Sequence, residues 1–221
     1  MAKRRRTAVL ISGRGSNLQA LLAAAQSPAF PADIGLVICN RPDAVGLKFA
    51  RDAGLAVVVI DHKNFAGRAE FDAELDRTLR RHGIELIACA GFMRILTAEF
   101  LTAWEGKIIN IHPALLPLYK GLDTHARALA DGVRVHGCTV HFVVPEIDSG
   151  PIIAQAAVPV LSDDSPDSLA ARVLGAEHRL YPMALALVAS GQAKLVGAKA
   201  VITAPTDATA MICSPTPHRV D

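Results

Sequence analysis

The chain has 221 residues, 51% of them hydrophobic, and its 23 Lys and Arg against 21 Asp and Glu give a formal charge of +2. That length suits one large domain or two small ones with ample apolar material for a core. Four of the cations cluster at Lys3, Arg4, Arg5 and Arg6, which leaves the body slightly acidic, and aromatics make up only 5%; the chain offers neither the charge footprint nor the stacking platform of a nucleic-acid binder.

Residues 1–6 read as a solvated basic tail. They run straight into a short apolar stretch at 7–12 without the long hydrophobic segment of a secretory signal, and no later stretch reaches membrane-spanning length free of a charge or a Pro/Gly break. A cytoplasmic protein without a membrane partner is expected. Apolar runs at 8–11, 34–39, 56–60, 86–90 and 108–111 predict strands, alternating with helical patterns at 18–25, 46–53, 68–82 and 97–104. Such alternation means βαβ units and a mainly parallel twisted sheet flanked by helices. After Pro117 the pattern changes to a short helix at 124–131 and two strands at 138–144 and 152–160, joined by a loop over 145–151 as a hairpin added to the sheet. Ser165-Pro166-Asp167 opens a long final helix with a capping serine and a proline at the first helical position, and Pro182 is expected to bend or interrupt it. The Thr/Pro-rich tail from Ala204 is expected to be poorly ordered. Cys39, Cys89 and Cys138 lie in strand-like runs and Cys213 in the tail, with no Cys-x-x-Cys pair, so buried free thiols are expected in place of disulfides or a metal site.

Between the first strand and the first helix, Gly13-Arg14-Gly15-Ser16-Asn17 can bring backbone N–H groups and a helix N-terminus to an anion. It fails as a dinucleotide fingerprint, because Leu18 stands where the third glycine belongs and the second strand ends in Asn40-Arg41, not an acid. The alternative is a tight turn capped by Ser16 or Asn17. Arg68, opening a helix, either forks onto a phosphate or pairs with Asp72 on the next turn. Gly91-Phe92-Met93-Arg94-Ile95-Leu96 follows a strand and so lies at a carboxyl end of the sheet, where α/β folds bind ligands. Asn110 and His112 are two apart in an extended segment and share a face. With Asp148, in the later loop Glu146-Ile147-Asp148-Ser149-Gly150-Pro151, they supply an amide, an imidazole and a carboxylate, a trio suited to acyl transfer. His136 and His141 lie five apart on one strand, face opposite ways and have no adjacent ligand set, so no metal is expected. No Gly-x-Ser-x-Gly nucleophile motif is present.

Three motifs, Ile-Ser-Gly-Arg-Gly-Ser-Asn-Leu from Ile11, Asn-Ile-His-Pro-Ala-Leu-Leu-Pro from Asn110 and Glu-Ile-Asp-Ser-Gly-Pro from Glu146, occur in an order and spacing that resembles the folate-dependent formyltransferases, within them those acting on glycinamide ribonucleotide. The resemblance runs over about residues 7–196. It implies a Rossmann-like formyltransferase fold in a single domain over 7–203, with 7–105 as the nucleotide-phosphate half, 106–203 as the catalytic and folate-cleft half, and tails at 1–6 and 204–221. It implies transfer of the formyl group from the co-substrate 10-formyltetrahydrofolate to the amine of glycinamide ribonucleotide, a step of purine biosynthesis, and it leaves a homodimer open. By position, Gly15, Ser16, Asn17 and Arg68 would hold the nucleotide phosphate and Glu177 the ribose hydroxyls, the competing reading of Glu177 being a solvated helical charge. Met93, Arg94, Ile95, Leu96, Leu101, Ile108, Val143, Glu146 and Ile147 would line the folate cleft, with Arg94 near the cofactor's glutamate end. Asn110, a protonated His112 and Asp148 would be catalytic, Asp148 pairing with the imidazolium and relaying the amine proton. Asp123 stands where many relatives carry a histidine. The Leu116–Pro117 peptide is expected to be cis. Two alternatives share the fold. A methionyl-tRNA formyltransferase would need a further C-terminal domain after Val196, and a formyltetrahydrofolate deformylase a further domain before Thr7. A non-catalytic nucleotide-binding regulator would be expected to lack one of Asn110, His112 and Asp148, and all three are present.

Overall fold

The apolar runs form a stack of parallel strands: β1 Arg5–Ile11, β2 Ala32–Cys39, β3 Ala56–Val59, β4 Leu86–Cys89 and β5 Ile108–His112. The computed structural model describes residues 3–205 and residue 214. Helices α1 Ser16–Ala25, α2 Gly46–Asp52, α3 Arg68–Arg81 and α4 Ala98–Ala103 make the crossovers. After α5 Thr124–Ala130, strands β6 Val135–Phe142 and β7 Ile152–Pro159 join antiparallel, giving the order β3-β2-β1-β4-β5-β6-β7. The chain therefore reverses its direction of travel across the sheet between β1 and β4, and their carboxyl ends open on the crevice where such folds hold ligands.

Residues Ala8–Ile11 and Leu36–Cys39 are fully buried, as expected for strands covered on both faces. On one face Val9, Ile11, Ile109 and Phe142 pack under α1 and the long α6 Pro166–Ala189; on the other Leu10, Ile38, Ile87 and Ile108 pack with Phe71 and Trp104. Tyr181, fully buried on α6, donates its hydroxyl to the Cys89 carbonyl at 2.8 Å and so pins that helix to the strand end beside the crevice. The expected serine cap of α6 is a full capping box, with Ser165 and Ser168 each accepting the other's backbone N–H. Pro182 does not interrupt α6, which continues to Ala189.

The basic tail is shorter than expected, because β1 begins at Arg5. Arg4 donates to the carbonyls of Ala25 and Ala32, and Arg6 donates to the His82 carbonyl while its backbone N–H meets Glu85. Ala25 and His82 end helices, so these guanidinium groups sit where the helix dipole favours a cation. A second sheet of two strands, β8 Ala193–Val196 and β9 Lys199–Ile202, falls in a region without strand expectation. Its strands are short and half-exposed, so no alternation stands out; the Gly197-Ala198 link, with Gly197 at φ 56°, is the one hairpin signal there. The Leu116–Pro117 peptide is cis, as the resemblance implies. Cys39, Cys89 and Cys138 are buried free thiols, and burial pushes Cys89 and Cys138 up to about 12. Cys213 and most of the expected C-terminal tail lie outside the described residues. No helix among the described residues is long and apolar enough to cross a membrane.

Candidate active site

At the first end of the crevice the chain turns from β1 into α1 through Gly15, whose φ of 78° is left-handed. Gly15 itself is the N-cap and no side chain caps the helix, so neither Ser16 nor Asn17 has the capping role; both lie in the first turn of α1. A Cβ on Gly15 would stand 2.7 Å from the Gly46 Cα, and Gly46 N–H donates to the Gly13 carbonyl at 2.9 Å. The loop thus seats on the start of α2 through two glycines, and Gly46 carried no signal readable in its own stretch of sequence. No side chain caps the first N–H groups of α1, the kind of helix end that can take an anion.

Asn17 reaches across to α6 and donates Nδ2 to Glu177 Oε2 at 2.7 Å. Glu177 is 7% exposed, so it is not a solvated helical charge; burial raises its carboxyl, opposed by the Asn17 hydrogen bond and the Arg14 charge. Arg68 opens α3 with an exposed side chain. Its alternative partner Asp72 is buried and turned to the Thr97 backbone N–H, accepting at 2.6 Å.

At the other end β5 places Asn110 and His112 on one face, opposite His141 and Thr139 of β6 in antiparallel register. His112 Nε2 lies 2.9 Å from the Tyr119 carbonyl, which can only accept, so Nε2 carries a proton. Its Nδ1 then faces Asp148 Oδ2 at 3.4 Å. Asp148 also accepts the Gly121 N–H at 2.9 Å and adopts a left-handed φ of 49°. Gly150 follows because a Cβ there would overlap the Phe142 carbonyl oxygen. Tyr119, at φ 54°, and Asp123, at φ 55°, are likewise left-handed, and such non-glycine outliers gather at functional loops. Asp123 is exposed and serves as the N-cap residue of α5.

His141 is the residue that sequence reasoning left outside the trio. Its Nδ1 donates to the Phe142 carbonyl at 2.8 Å, which leaves Nε2 as an acceptor 3.3 Å from Asn110 Nδ2 and 3.8 Å from Asp148 Oδ1. Burial lowers its pKa, against the opposing pull of the Phe142 carbonyl and Asp148, so the neutral ring fixes which way the Asn110 amide points. Its position opposite Asn110 depends on strand register, and only its face was readable beforehand. His136 does face the other way, as expected, packing edge-on against Tyr119 and His125. Among the described residues no group of three or more His, Cys, Asp or Glu is placed to hold a metal ion.

Between the two ends runs the 91–97 segment. Met93 and Ile95 are 66% and 49% exposed and, with Ile147 at 53%, leave an apolar rim uncovered. Leu96, Leu101 and Ile108 are buried in the core behind it and Val143 packs against them, so these four form a back wall and not the exposed lining. Glu146 is exposed on the loop before Asp148, with Lys120 3.6 Å away. Arg94 turns its guanidinium over the Phe71 ring with Nε buried, so in this structure it does not extend along the rim. The crevice thus has an uncapped helix N-terminus at one end, a histidine–carboxylate pair beside the Asn110 amide at the other, and an apolar rim between them. That combination can orient an anionic amine and a flat heterocycle and move an acyl group between them.

A family model described as formyl transferase matches residues 5–185. The chain is 53% identical over 186 residues to the trifunctional purine biosynthetic protein adenosine-3 of Gallus gallus, a match covering 84% of this chain but 18% of that protein, so the chain spans less than a fifth of that relative's length. It is 43% identical to the phosphoribosylglycinamide formyltransferase of Escherichia coli K12, over 85% of this chain and 88% of that one. The crystal structure of glycinamide ribonucleotide transformylase 1 from Symbiobacterium toebii superposes with a TM-score of 0.88 at 44% identity, covering 91% of this chain and 95% of that one.

Proposed function

The chain belongs to the formyl transferase family, and from that premise we propose that it transfers the formyl group of 10-formyltetrahydrofolate to the primary amine of glycinamide ribonucleotide. The observation that carries the reading is the placement of Asn110, His112 and Asp148 around one point of a crevice whose other end is an uncapped helix N-terminus. Gly15, Ser16, Asn17 and Arg68 hold the nucleotide phosphate through main-chain N–H groups and one guanidinium, and Glu177 accepts from the ribose hydroxyls. Met93, Ile95 and Ile147 cover the folate ring, backed by Leu96, Leu101, Ile108 and Val143; Glu146 lies at the mouth. Arg94 meets the glutamate end by swinging off Phe71.

The amine nitrogen bonds to the formyl carbon, the bond from that carbon to N10 breaks, and one proton passes from the amine to N10. No acyl-enzyme is required, so the protein's work is orientation, charge stabilisation and proton transfer. Asn110, its amide held by His141, donates its second Nδ2 hydrogen to the formyl oxygen as negative charge gathers there. His112 stays anchored through Nε2 on Tyr119, and its Nδ1–H, in a 3.4 Å contact too long to be a committed hydrogen bond, is free to donate to the same oxygen. Asp148, directly or through water, takes the amine proton and returns it to N10.

Incubating the purified protein with glycinamide ribonucleotide and 10-formyltetrahydrofolate, and omitting each in turn, tests the reading. Formylated nucleotide and tetrahydrofolate should appear in equal amounts and only with both present. Formate release without nucleotide would indicate a deformylase instead, and no reaction would refute the assignment.

A further inference from the structure

The 91–97 segment has no regular structure and exposes Met93 and Ile95, yet its main chain is tied at both ends to the elements that carry the nucleotide. At its start Ser12 N–H donates to the Gly91 carbonyl at 3.2 Å, and Ser12 Oγ accepts the Met93 N–H at 2.7 Å. The Ser12 hydroxyl gives its own hydrogen to Asn40 Oδ1, so it faces Met93 only as an acceptor. Asn40 is in turn held by His62, whose Nδ1 donates to the Asn40 backbone carbonyl at 2.9 Å. Ser12 is also the residue immediately before the Gly13–Asn17 loop. At the segment's end, Asp72 Oδ2 accepts the Thr97 N–H at 2.6 Å, and Asp72 lies on α3 one turn after Arg68. Ser12 and Asp72 are 4% and 3% exposed, so water cannot take over either bond.

Resting on the substrate pair proposed above, we infer that Ser12 and Asp72 are positioning residues that couple the two ligands: holding the phosphate at the Gly13–Asn17 loop and Arg68 fixes both anchors of the 91–97 segment and so tightens folate binding. The physical basis is the ordering cost of an irregular segment. A ligand that stiffens the anchors meets part of that cost before the second ligand arrives, and by linkage each ligand strengthens the other equally.

Calorimetric titration with tetrahydrofolate, alone and with saturating glycinamide ribonucleotide, measures the coupling, because this pair has no formyl group to transfer. In the parent protein the nucleotide should tighten tetrahydrofolate about fivefold. Ser12→Ala and Asp72→Ala should each bring that ratio towards one, whereas Asp72→Asn, which keeps an acceptor for Thr97, should retain it. A loss merely of stability would lower the melting temperature without this pattern of loss and rescue. A parent that binds both ligands with a ratio of one overturns the coupling alone, whether or not every variant folds, and variants that keep the full ratio do the same. A parent that binds neither ligand overturns the substrate reading and this inference with it.

Discussion

The two ends of the crevice are built from different materials. The proposed nucleotide end is mostly main chain: Gly15 and Gly46 press together at the start of α1, whose first N–H groups have no side-chain cap. The proposed catalytic end is mostly buried side chain, with His112 and His141 each within 3.8 Å of Asp148 across β5, β6 and the following loop. A main-chain site tolerates loss of side chains and suffers when a backbone shape is spoiled. A side-chain site is sensitive atom by atom and to protonation.

The largest expected effect tests that sensitivity. Asp148→Asn keeps the size and an acceptor for the Gly121 N–H, so both substrates should still bind. It removes the proton acceptor and the charge facing His112, and turnover should fall by about 10²–10⁴-fold. Steady-state kinetics with separate measurement of ligand affinity checks this. An active Asp148→Asn enzyme would move the proton transfer to another group and leave the contrast between the two ends without its chemical half.

The second test uses the opposite acid–base character of the two ends. Behind His112, the fully buried His136 packs against His125, and burial with the neighbouring His125 charge pulls its pKa from 6.5 down to about 4; His112 adds to this and the Pro113 carbonyl opposes it. Burial lowers His125 as well. Since the unfolded chain binds these protons more readily, the stability from neutral His136 is full above about pH 6.5 and is lost as pH falls towards about 4, by up to about 3 kcal/mol. At the nucleotide end, burial raises the Asp72 and Glu177 carboxyls, so their contribution has the other sign: it is present at low pH and lost as pH rises through their raised values. Urea denaturation across pH 4–7 should show His136→Phe flattening the acid loss. An unchanged acid limb would remove His136 as its cause.

Arg68→Ala is expected to weaken glycinamide ribonucleotide roughly tenfold to a hundredfold, the range of one charge-assisted hydrogen bond, with tetrahydrofolate measured alone nearly unaffected. Unchanged nucleotide affinity would make Arg68 an ordinary surface cation and leave the phosphate entirely to the main chain.

What sequence could reveal follows the same division. Strand periodicity exposed the parallel sheet and the shared face of Asn110 and His112, because both depend on parity within one segment. The glycine loop was readable for the same local reason. The Gly15–Gly46 contact, the Asn17–Glu177 bond and the pairing of His141 with Asn110 each join segments distant in the chain, and no local pattern encodes register or crossing distance. The Tyr119 carbonyl that anchors His112 is main chain, available from any residue type. Arg5 and Arg6 show the reverse error: their charge suggested a tail outside the sheet, but they begin β1, Arg5 donating to the Glu85 carbonyl and Arg6 to the His82 carbonyl.

The smallest expected effect tests the main-chain end most directly. Ser16 lies in the first turn of α1, and its hydroxyl makes no cap. If the phosphate is held chiefly by N–H groups and the helix end, Ser16→Ala removes one hydroxyl contact and leaves every main-chain donor in place. The loss in nucleotide affinity should then stay below about tenfold, the scale of a single uncharged hydrogen-bond donor, with kcat unchanged. Titration with glycinamide ribonucleotide and with ribose 5-phosphate should show the same small ratio, since both present the same 5′-phosphate. A loss of a hundredfold or more would mean that the hydroxyl is the principal ligand, and the nucleotide end would then be a side-chain site like the catalytic one.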